Sequence, residues 1–463
     1  MEKVLPKGWV KTEFANLIAH VIGGDWGKDS DVEDENFVEV YCIRGSEIKN
    51  WNTNFGDTSV VRKIKKSSLD SRRLINGDIL LEISGGGPDQ PVGRVVLITQ
   101  NTFDRLPELP IVCTNFLRLI RPVSQINSNY FCSYLEYFYY SGEVVKYQGG
   151  SNNLRNLKYK EYETIQIPLP PLAEQERIVD KVDKLFAKHE KIKKALDRIP
   201  QLLKAFRQQV LTQAVTGKLT EQWREGKDLE EWQSLLLKDI IEGTPKNGAY
   251  YPQSNYGSGV KIIRIDNFYD GDLKDWEKVK LVQASFEDID TYGIEYNNIL
   301  INRVNSIQYL GKCLLFKLKD VQCIYESNMM KIVLKPEVIY PDYAKIFLNS
   351  NIGLTELRQN AKHAVNQASI NQSDVMNVNI PIPPIKEQQE IVRQVESLFA
   401  KADAIESRYQ PLKAKIDNLP QAILHKAFKG ELVPQLPTDG DAKDLLAEIM
   451  ALKEEVKGKR GKA

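Results

Sequence analysis

Two long stretches of the chain carry apolar residues in an unbroken alternation of four and three. In the first, Ile178, Val182, Leu185, His189, Ile192, Leu196, Ile199, Leu203, Phe206 and Val210 follow one another at that spacing. In the second, Ile391, Val395, Leu398, Ala402, Ile405, Tyr409, Leu412, Ile416, Leu419 and Ile423 do the same. A stripe of this period runs along one side of a helix and needs another helix to cover it, so the pattern predicts a coiled coil and not a strand. Two stripes in one chain favour pairing with each other, although a long helix packed on its own domain would show the same period. Their flanks are charged, as at Lys181, Lys184, Lys188 and Lys191. Pro200, Pro411 and Pro420 fall inside the pattern, and a residue without an N–H predicts a kink or short break at each. His189 reads as a tolerated semi-polar member of the seam.

The two stretches belong to a duplication. Residues 167–188 read IPLPPLAEQERIVDKVDKLFAK and residues 380–401 read IPIPPIKEQQEIVRQVESLFAK, identical at 13 of 22 positions at a shift of 213. The same shift carries Leu211, Ala214, Gly217 and Leu219 onto Leu424, Ala427, Gly430 and Leu432. Fainter echoes precede each copy: Asn115-Phe-Leu-Arg-Leu against Asn328-Met-Met-Lys-Ile, Tyr130 and Leu135 against Tyr343 and Leu348, and Asn153 against Asn366. Farther upstream Asp78-Ile-Leu matches Asn298-Ile-Leu at a shift of 220, and Trp9 pairs with Trp232. Each preserved segment opens on an Ile-Pro-x-Pro-Pro lead-in that favours extended backbone. Glu174 and Glu387 then fall early in a helix, where a carboxylate suits the dipole.

Residues 1–166 and 229–379 read as mixed α/β. Short apolar runs at Asp78–Ile83, Val92–Ile98, Ile111–Ile120, Lys261–Ile265, Ile299–Asn302, Gly311–Phe316 and Met329–Leu334 predict strands between Gly, Pro and Asn punctuation. Helices are expected near Tyr130–Tyr140 and Tyr343–Leu348. A polar stretch follows each, at Gln148-Gly-Gly-Ser-Asn-Asn and at His363-Ala-Val-Asn-Gln.

Charge excludes a polycation. Lys plus Arg is 63 and Asp plus Glu is 62, a net charge of +1. Residues 1–166 hold 20 basic and 21 acidic side chains and residues 229–379 hold 16 and 19, so neither block announces nucleic acid by net charge. One local cluster stands out: Arg62, Lys63, Lys65, Lys66, Arg72 and Arg73. It suits phosphate binding, which positions a protein on DNA without reading sequence; taken alone, a solvated strand edge or loop accounts for it as well. Base reading falls to side chains capable of paired hydrogen bonds, and Asn152, Asn153, Arg155, Arg303, Asn305, Asn366 and Gln367 are the candidates. Catalytic motifs are missing: there is no P-loop, no dinucleotide fingerprint, no HExxH and no Asn/Asp-Pro-Pro-aromatic methyltransferase tetrad. Ser84-Gly-Gly-Gly-Pro reads as a tight turn. Pro88-Asp89 and Pro341-Asp342 lack the Asp/Glu-x-Lys of a nuclease. Cys42, Cys113, Cys132, Cys313 and Cys323 form no CxxC pair, so no metal site and no cofactor is expected in this chain, and a reducing compartment is. No apolar run reaches the ~18 residues of a membrane span.

Two variable blocks, each followed by Ile-Pro-x-Pro-Pro-x-x-Glu-Gln-x-x-Ile-Val, then Leu-Phe-Ala and a heptad helix, resemble the specificity subunit of type I restriction–modification enzymes. The repeat tails Gln213-Ala-Val-Thr-Gly-Lys-Leu-Thr and Lys426-Ala-Phe-Lys-Gly-Glu-Leu-Val, and the opening Leu5-Pro-Lys-Gly-Trp, extend the resemblance over essentially the whole chain. It implies an α+β protein with two α/β target recognition domains in tandem, at 1–166 and 229–379. A central spacer helix would lie at 167–228 and a distal one at 380–433, paired as an antiparallel coiled coil with pseudo-two-fold symmetry. Residues 434–463 would form a linker, a short helix at Asp441–Glu455 and a frayed basic tail. The implied function is recognition of a bipartite, asymmetric double-stranded DNA target by a non-catalytic, cytoplasmic subunit. The implied partners are two modification subunits that methylate adenine N6 with S-adenosylmethionine, and restriction subunits that use ATP with Mg2+. A helix from Ile178 to Thr216 spans ~58 Å at 1.5 Å per residue, enough to hold two modules about one DNA turn apart. The competing expectation is a coiled-coil assembly scaffold without sequence-specific DNA binding, and duplex binding with a target preference separates the two.

Overall fold

The computed structural model describes residues 5–87, 90–151, 154–269, 271–365 and 367–460. The chain divides into two compact units, Met1–Ala195 with Leu412–Ala463 and Leu196–Pro411. Each unit therefore takes one α/β block and one part of each long helical stretch.

In the first unit, strand Val10–Glu13 pairs antiparallel with Gln166–Leu169, Val10 opposite Leu169. A four-stranded sheet runs in the order Ile18–Gly23, Leu117–Pro122, Ile79–Glu82, Val95–Leu97, and a three-stranded sheet in the order Val60–Lys65, Phe37–Ile43, Ile111–Cys113, the last pair parallel. A hairpin, Gln148–Ser151 with Leu154–Leu157, adds Ser84–Gly85 as a third strand. The second unit repeats every piece. Gln233–Leu236 pairs with Asn379–Ile382. Its four-stranded sheet is Lys246–Asn247, Met329–Ile332, Ile299–Asn302, Cys313–Leu315; its three-stranded sheet is Leu281–Val282, Tyr256–Ile263, Cys323–Tyr325, again parallel at the last pair. Its hairpin, Lys362–Ala364 with Gln367–Ser369, adds Val304–Asn305.

The same four side chains hold each frame. Trp9 Nε1 donates to Glu174 Oε2 at 2.9 Å and Trp232 Nε1 to Glu387 Oε2 at 3.0 Å. Gln175 donates to the Pro170 carbonyl and accepts from the Asn127 N–H; Gln388 donates to Pro383 and accepts from Tyr340. The hydroxyls of Tyr130 and Tyr343 donate to the carbonyls of Pro168 and Pro381, each at 2.7 Å. Glu174 and Glu387 are thus buried acceptors for indole N–H groups, a role that goes beyond suiting a helix dipole.

The long helices are Leu172–Leu196, Ile199–Val215, Ile385–Asp417 and Leu419–Ala427. Pro200 and Pro420 sit in the first turn of the second and fourth, where a missing N–H costs little, so each marks a break between helices. Pro411 lies inside the third. In the first unit Arg177 reaches the Pro434 carbonyl and Asp439, while His189 Nε2, in the tautomer protonated there, donates to the Ile416 carbonyl at 2.9 Å. In the second, Arg207 meets Asp403 and Glu406, and Thr220 and Arg224 meet Glu387. In both units the partners run in opposite chain directions, which is antiparallel pairing. The seam is not continuous. Ile178, Val182, Leu196, Leu203, Ile391, Val395 and Tyr409 are buried, and Leu185, Ile199, Leu398, Ile416 and Leu419 are half-buried. Ile192, Ile405 and Leu412 are 44%, 50% and 46% exposed. The buried group includes Ile178, Val182, Ile391 and Val395, where the helices also cover the α/β cores; Ile192, Ile405 and Leu412 lie away from those cores.

Three further details depart from the sequence reading. The run Ile111–Ile120 is two strands in different sheets, split at Thr114–Phe116. Ser84–Gly85 is a strand, and just beyond it Gly87 and Gln90 exchange backbone hydrogen bonds. The terminal helix runs Ala442–Arg460, longer than expected, buries Ile449, and places Lys453 Nζ on the Ala15 carbonyl at 2.6 Å.

Candidate nucleic-acid interface

Backbone hydrogen bonds join four segments of the first unit into one surface. Gly24 N–H donates to the Leu117 carbonyl at 3.0 Å and Asp25 N–H to Cys113 at 2.8 Å, which fixes a loop beside the turn Thr114–Phe116. The Phe116 carbonyl accepts from Ile83 at 2.9 Å and Ser84 at 3.3 Å. Ser84–Gly85 then pairs with Asn156 and Arg155 of the hairpin. The second unit forms the same surface bond for bond. Gly248 donates to Met329 at 3.1 Å and Ala249 to Tyr325 at 3.0 Å; the Asn328 carbonyl accepts from Arg303 at 2.9 Å and Val304 at 3.3 Å; Val304–Asn305 pairs with the hairpin strand Gln367–Ser369. Gly24 and Gly248 are required by close approach. A Cβ would stand 2.1 Å from the Thr114 carbonyl oxygen at Gly24 and 2.3 Å from that of Glu326 at Gly248.

These bonds also correct the sequence alignment by one residue. Ile79 lies opposite Ile120 and Ile299 opposite Ile332, so this strand repeats at 212 and Phe116 corresponds to Asn328. Asn115 therefore does not correspond to Asn328. Tyr130 and Tyr343, with identical partners, keep the shift of 213.

Several sequence candidates meet on this surface. Asn305 lies on the strand beside the hairpin that carries exposed Gln367, Arg303 immediately precedes that strand, and half-buried Arg155 lies opposite Gly85. Arg303 donates to the Ser327 carbonyl at 3.0 Å, and Asn305 Oδ1 accepts from Ser306 N–H. Asn152, Asn153 and Asn366 lie outside the described residues. The basic cluster separates into two groups. Arg62 stacks on Trp26 at 4.3 Å, donates to its carbonyl and pairs with Asp29; Lys63 donates to the Val32 carbonyl; Arg72 donates to Gly23. These three hold the Gly23–Val32 loop. Lys65, Lys66 and Arg73 are exposed. The strand registers Val40 opposite Arg62 and Val260 opposite Val282 place Val282, Gln283, Ser285, Phe286, Tyr292 and Gly293 at the six equivalent positions. The second unit has no basic residue at any of them.

Sequence reading missed the aromatic and aliphatic groups of the surface. Trp26 is 38% exposed, Phe116 51%, Tyr250 81% and Val365 92%. The pair Gly24-x-Trp26 and Gly248-x-Tyr250 recurs at an offset of 224, which no preserved segment shares.

Among the described residues no group of three or more His, Cys, Asp or Glu side chains is placed to hold a metal ion, and no helix is long and apolar enough to cross a membrane. All five cysteines are buried and unpaired. Burial pushes the thiols of Cys42, Cys313 and Cys323 up to about 12 and raises those of Cys113 and Cys132 as well, so none is a ready thiolate near neutrality.

The sequence profile of the type I restriction modification DNA specificity domain matches residues 6–201 and again 229–414. The chain is 30% identical to the type I restriction enzyme EcoKI specificity subunit of Escherichia coli K12, over 98% of this chain and 96% of that protein. It is 30% identical to the StySPI specificity subunit of Salmonella potsdam at the same coverages. Its fold is that of an HsdS subunit from Thermoanaerobacter tengcongensis, with a TM-score of 0.60, 19% identity and coverage of 93% of this chain and 99% of that one. A chain from a structure of type I R-M complex assembly and conformational transition gives a TM-score of 0.62, at 18% identity and coverage of 93% and 100%.

Proposed function

The chain belongs to the type I restriction–modification DNA specificity family and is a specificity subunit, and from that premise we propose that each compact unit reads one half of a split duplex target through its hairpin-centred surface. The observation that carries this is the repeated frame with unlike side chains. The same backbone bonds build both surfaces, yet the exposed Phe116 of one unit corresponds to the half-buried Asn328 of the other, and Trp26 to Tyr250. A common frame presenting different groups to base edges selects different half-sites. The chain binds and positions, and two modification subunits supply adenine N6 methylation with S-adenosylmethionine. Restriction subunits, with ATP and Mg2+, act through the same assembly. The duplicated helical stretches support a scaffold for two like partners, and the exposed seam positions Ile192, Ile405 and Leu412 leave apolar surface on them. The absence of P-loop and methyltransferase motifs supports placing the chemistry on those partners. Replacing residues 10–160 by the matching block of a relative tests the reading by methylation mapping of the host. One half-site should change and the other stay; a change in both halves, or in neither, refutes it.

A further inference from the structure

Exposure alone does not single out a DNA-facing aromatic. Phe286 is 85% exposed, but it stands where the first unit carries Lys66, so nothing in the repeated frame asks for a ring there. The Trp26 and Tyr250 positions differ. Both units place a large ring two residues after a glycine that cannot be replaced without displacing a backbone carbonyl. Both fix the residue between by a bond to the same strand, Asp25 to Cys113 and Ala249 to Tyr325. The ring is thus delivered at one point of the reading surface, next to the turn that anchors the hairpin strand. Two blocks whose basic cluster and surface turn have diverged keep an aromatic at this point. The difference in exposure has a local cause: Arg62 covers one face of the Trp26 indole at 4.3 Å, while the second unit carries a buried valine, Val282, at the Arg62 position.

We infer that Trp26 and Tyr250 are equivalent DNA-facing residues, one for each half-site, whose rings pack against a base step of the bound duplex. An exposed ring costs solvent ordering and offers a flat apolar face. A base has such a face when its neighbour is unstacked, and apolar wedges at a step loosen that stacking. In the first unit the Arg62 guanidinium, paired with Asp29, backs the indole and holds its plane in place. The inference rests on the proposed reading of one half-site per unit and adds the residue that engages the step.

The test uses the full-length chain assembled with its modification subunits and a duplex carrying the target found by methylation mapping, with 2-aminopurine placed at successive steps. Tyr250→Ala removes a largely exposed ring, so folding is not at stake; Trp26→Ala is checked by its unfolding midpoint and backed by Trp26→Phe. Each alanine variant should weaken cognate binding by about tenfold to a hundredfold, the range of one aromatic–base stack. Each should abolish the 2-aminopurine signal in one half-site only, with Trp26 and Tyr250 acting on opposite halves and phenylalanine restoring most of the effect at both positions. If both variants bind as the parent does, or weaken unrelated duplexes equally, the inference falls while the half-site reading stands. If the parent assembly itself shows no sequence preference, the half-site reading falls first.

Discussion

Glu174 and Glu387 occupy the same place in the two units but carry different loads, which makes a sharp prediction. Glu387 is buried and accepts from three groups: Thr220 Oγ1 at 2.7 Å, Trp232 Nε1 at 3.0 Å and the Arg224 guanidinium. At the preserved shift of 213, Thr220 and Arg224 correspond to Val433 and Pro437, so the first unit has neither partner. Glu174 accepts from the Trp9 N–H, while Arg177, one turn on, pairs with Asp439 instead. Burial accordingly holds the Glu174 carboxyl above its ordinary value of 4.5, against the opposing pull of the Trp9 N–H. Glu387→Gln would leave the Arg224 cation without its carboxylate. Breaking a buried pair costs ~3–5 kcal/mol, and because Arg224 is 24% exposed we expect about 2–3 kcal/mol here. Glu174→Gln keeps an acceptor for Trp9 and removes a poorly solvated charge, so it should lie within about 1 kcal/mol of the parent and can stabilise. Urea titration at pH 7 measures both, and hydrogen exchange at Gln233–Leu236 and Val10–Glu13 assigns each effect to its unit. The pH dependence carries the opposite sign from a salt-bridged acid. A raised folded value means the folded state binds the proton more tightly, so the Glu174 contribution falls as pH rises from about 4.5 through the folded value and is constant above it. Glu174→Gln should flatten that decline. Equal losses for the two glutamine variants would refute the reasoning, as would an unchanged pH slope.

Two further outcomes follow from the geometry. Lys65, Lys66 and Arg73 changed together to Ala should lower affinity for all duplexes alike and reduce the salt slope by ~0.9 for each phosphate no longer neutralised, whereas Arg62, Lys63 and Arg72 changed to Ala should loosen the Gly23–Val32 loop to hydrogen exchange. On the seam, Ile178→Ala and Ile391→Ala should each cost ~2–5 kcal/mol in urea titrations, and Ile192→Ala and Ile405→Ala less than about 1 kcal/mol; similar costs at all four positions would mean the exposed pair is covered in the free chain.

The frame was legible in the sequence because its residues act in fixed pairs. Trp9, Tyr130, Glu174 and their second copies recur at readable offsets, and the structure shows each bonded to the same partner class in both units. The heptad pattern revealed the helices but not their solvent exposure, since a stripe says which side is apolar and not what lies over it. The break after Cys113 was illegible because an unbroken apolar run is compatible with one strand or with two in different sheets. The offset of 212 was hidden for a related reason. Met329 and Met330 are both apolar and both buried, so sliding the strand by one preserved the apparent match while exchanging its two faces. On the proposed surface, Arg303 and Asn305 are legible as polar groups between strands, whereas Trp26 and Tyr250 are not singled out, because a ring next to a glycine is equally a core residue in sequence.

The contrast between frame and surface bears on how such a chain acquires a new target. Each frame residue bridges segments far apart in sequence, as Trp9 to Glu174 and Trp232 to Glu387 do, and losing one leaves a buried donor or acceptor unpaired at a cost of ~1–3 kcal/mol. The exposed residues of the proposed surface carry no such penalty: Gln367, Val365 and Tyr250 are exposed, and substitutions at exposed sites usually stay within ~0.5 kcal/mol. The surface is also hung from backbone bonds at Phe116 and Asn328, which are indifferent to most side chains, and at Gly24 and Gly248, which are held as glycine by close approach. Phe116 and Asn328 illustrate this directly, since two unlike residues offer the same carbonyl to the same strand. On the proposed reading, the side chains offered to a half-site can therefore change in chemistry while the sheet that presents them keeps its register, and the two halves of one target can diverge independently on a single duplicated fold.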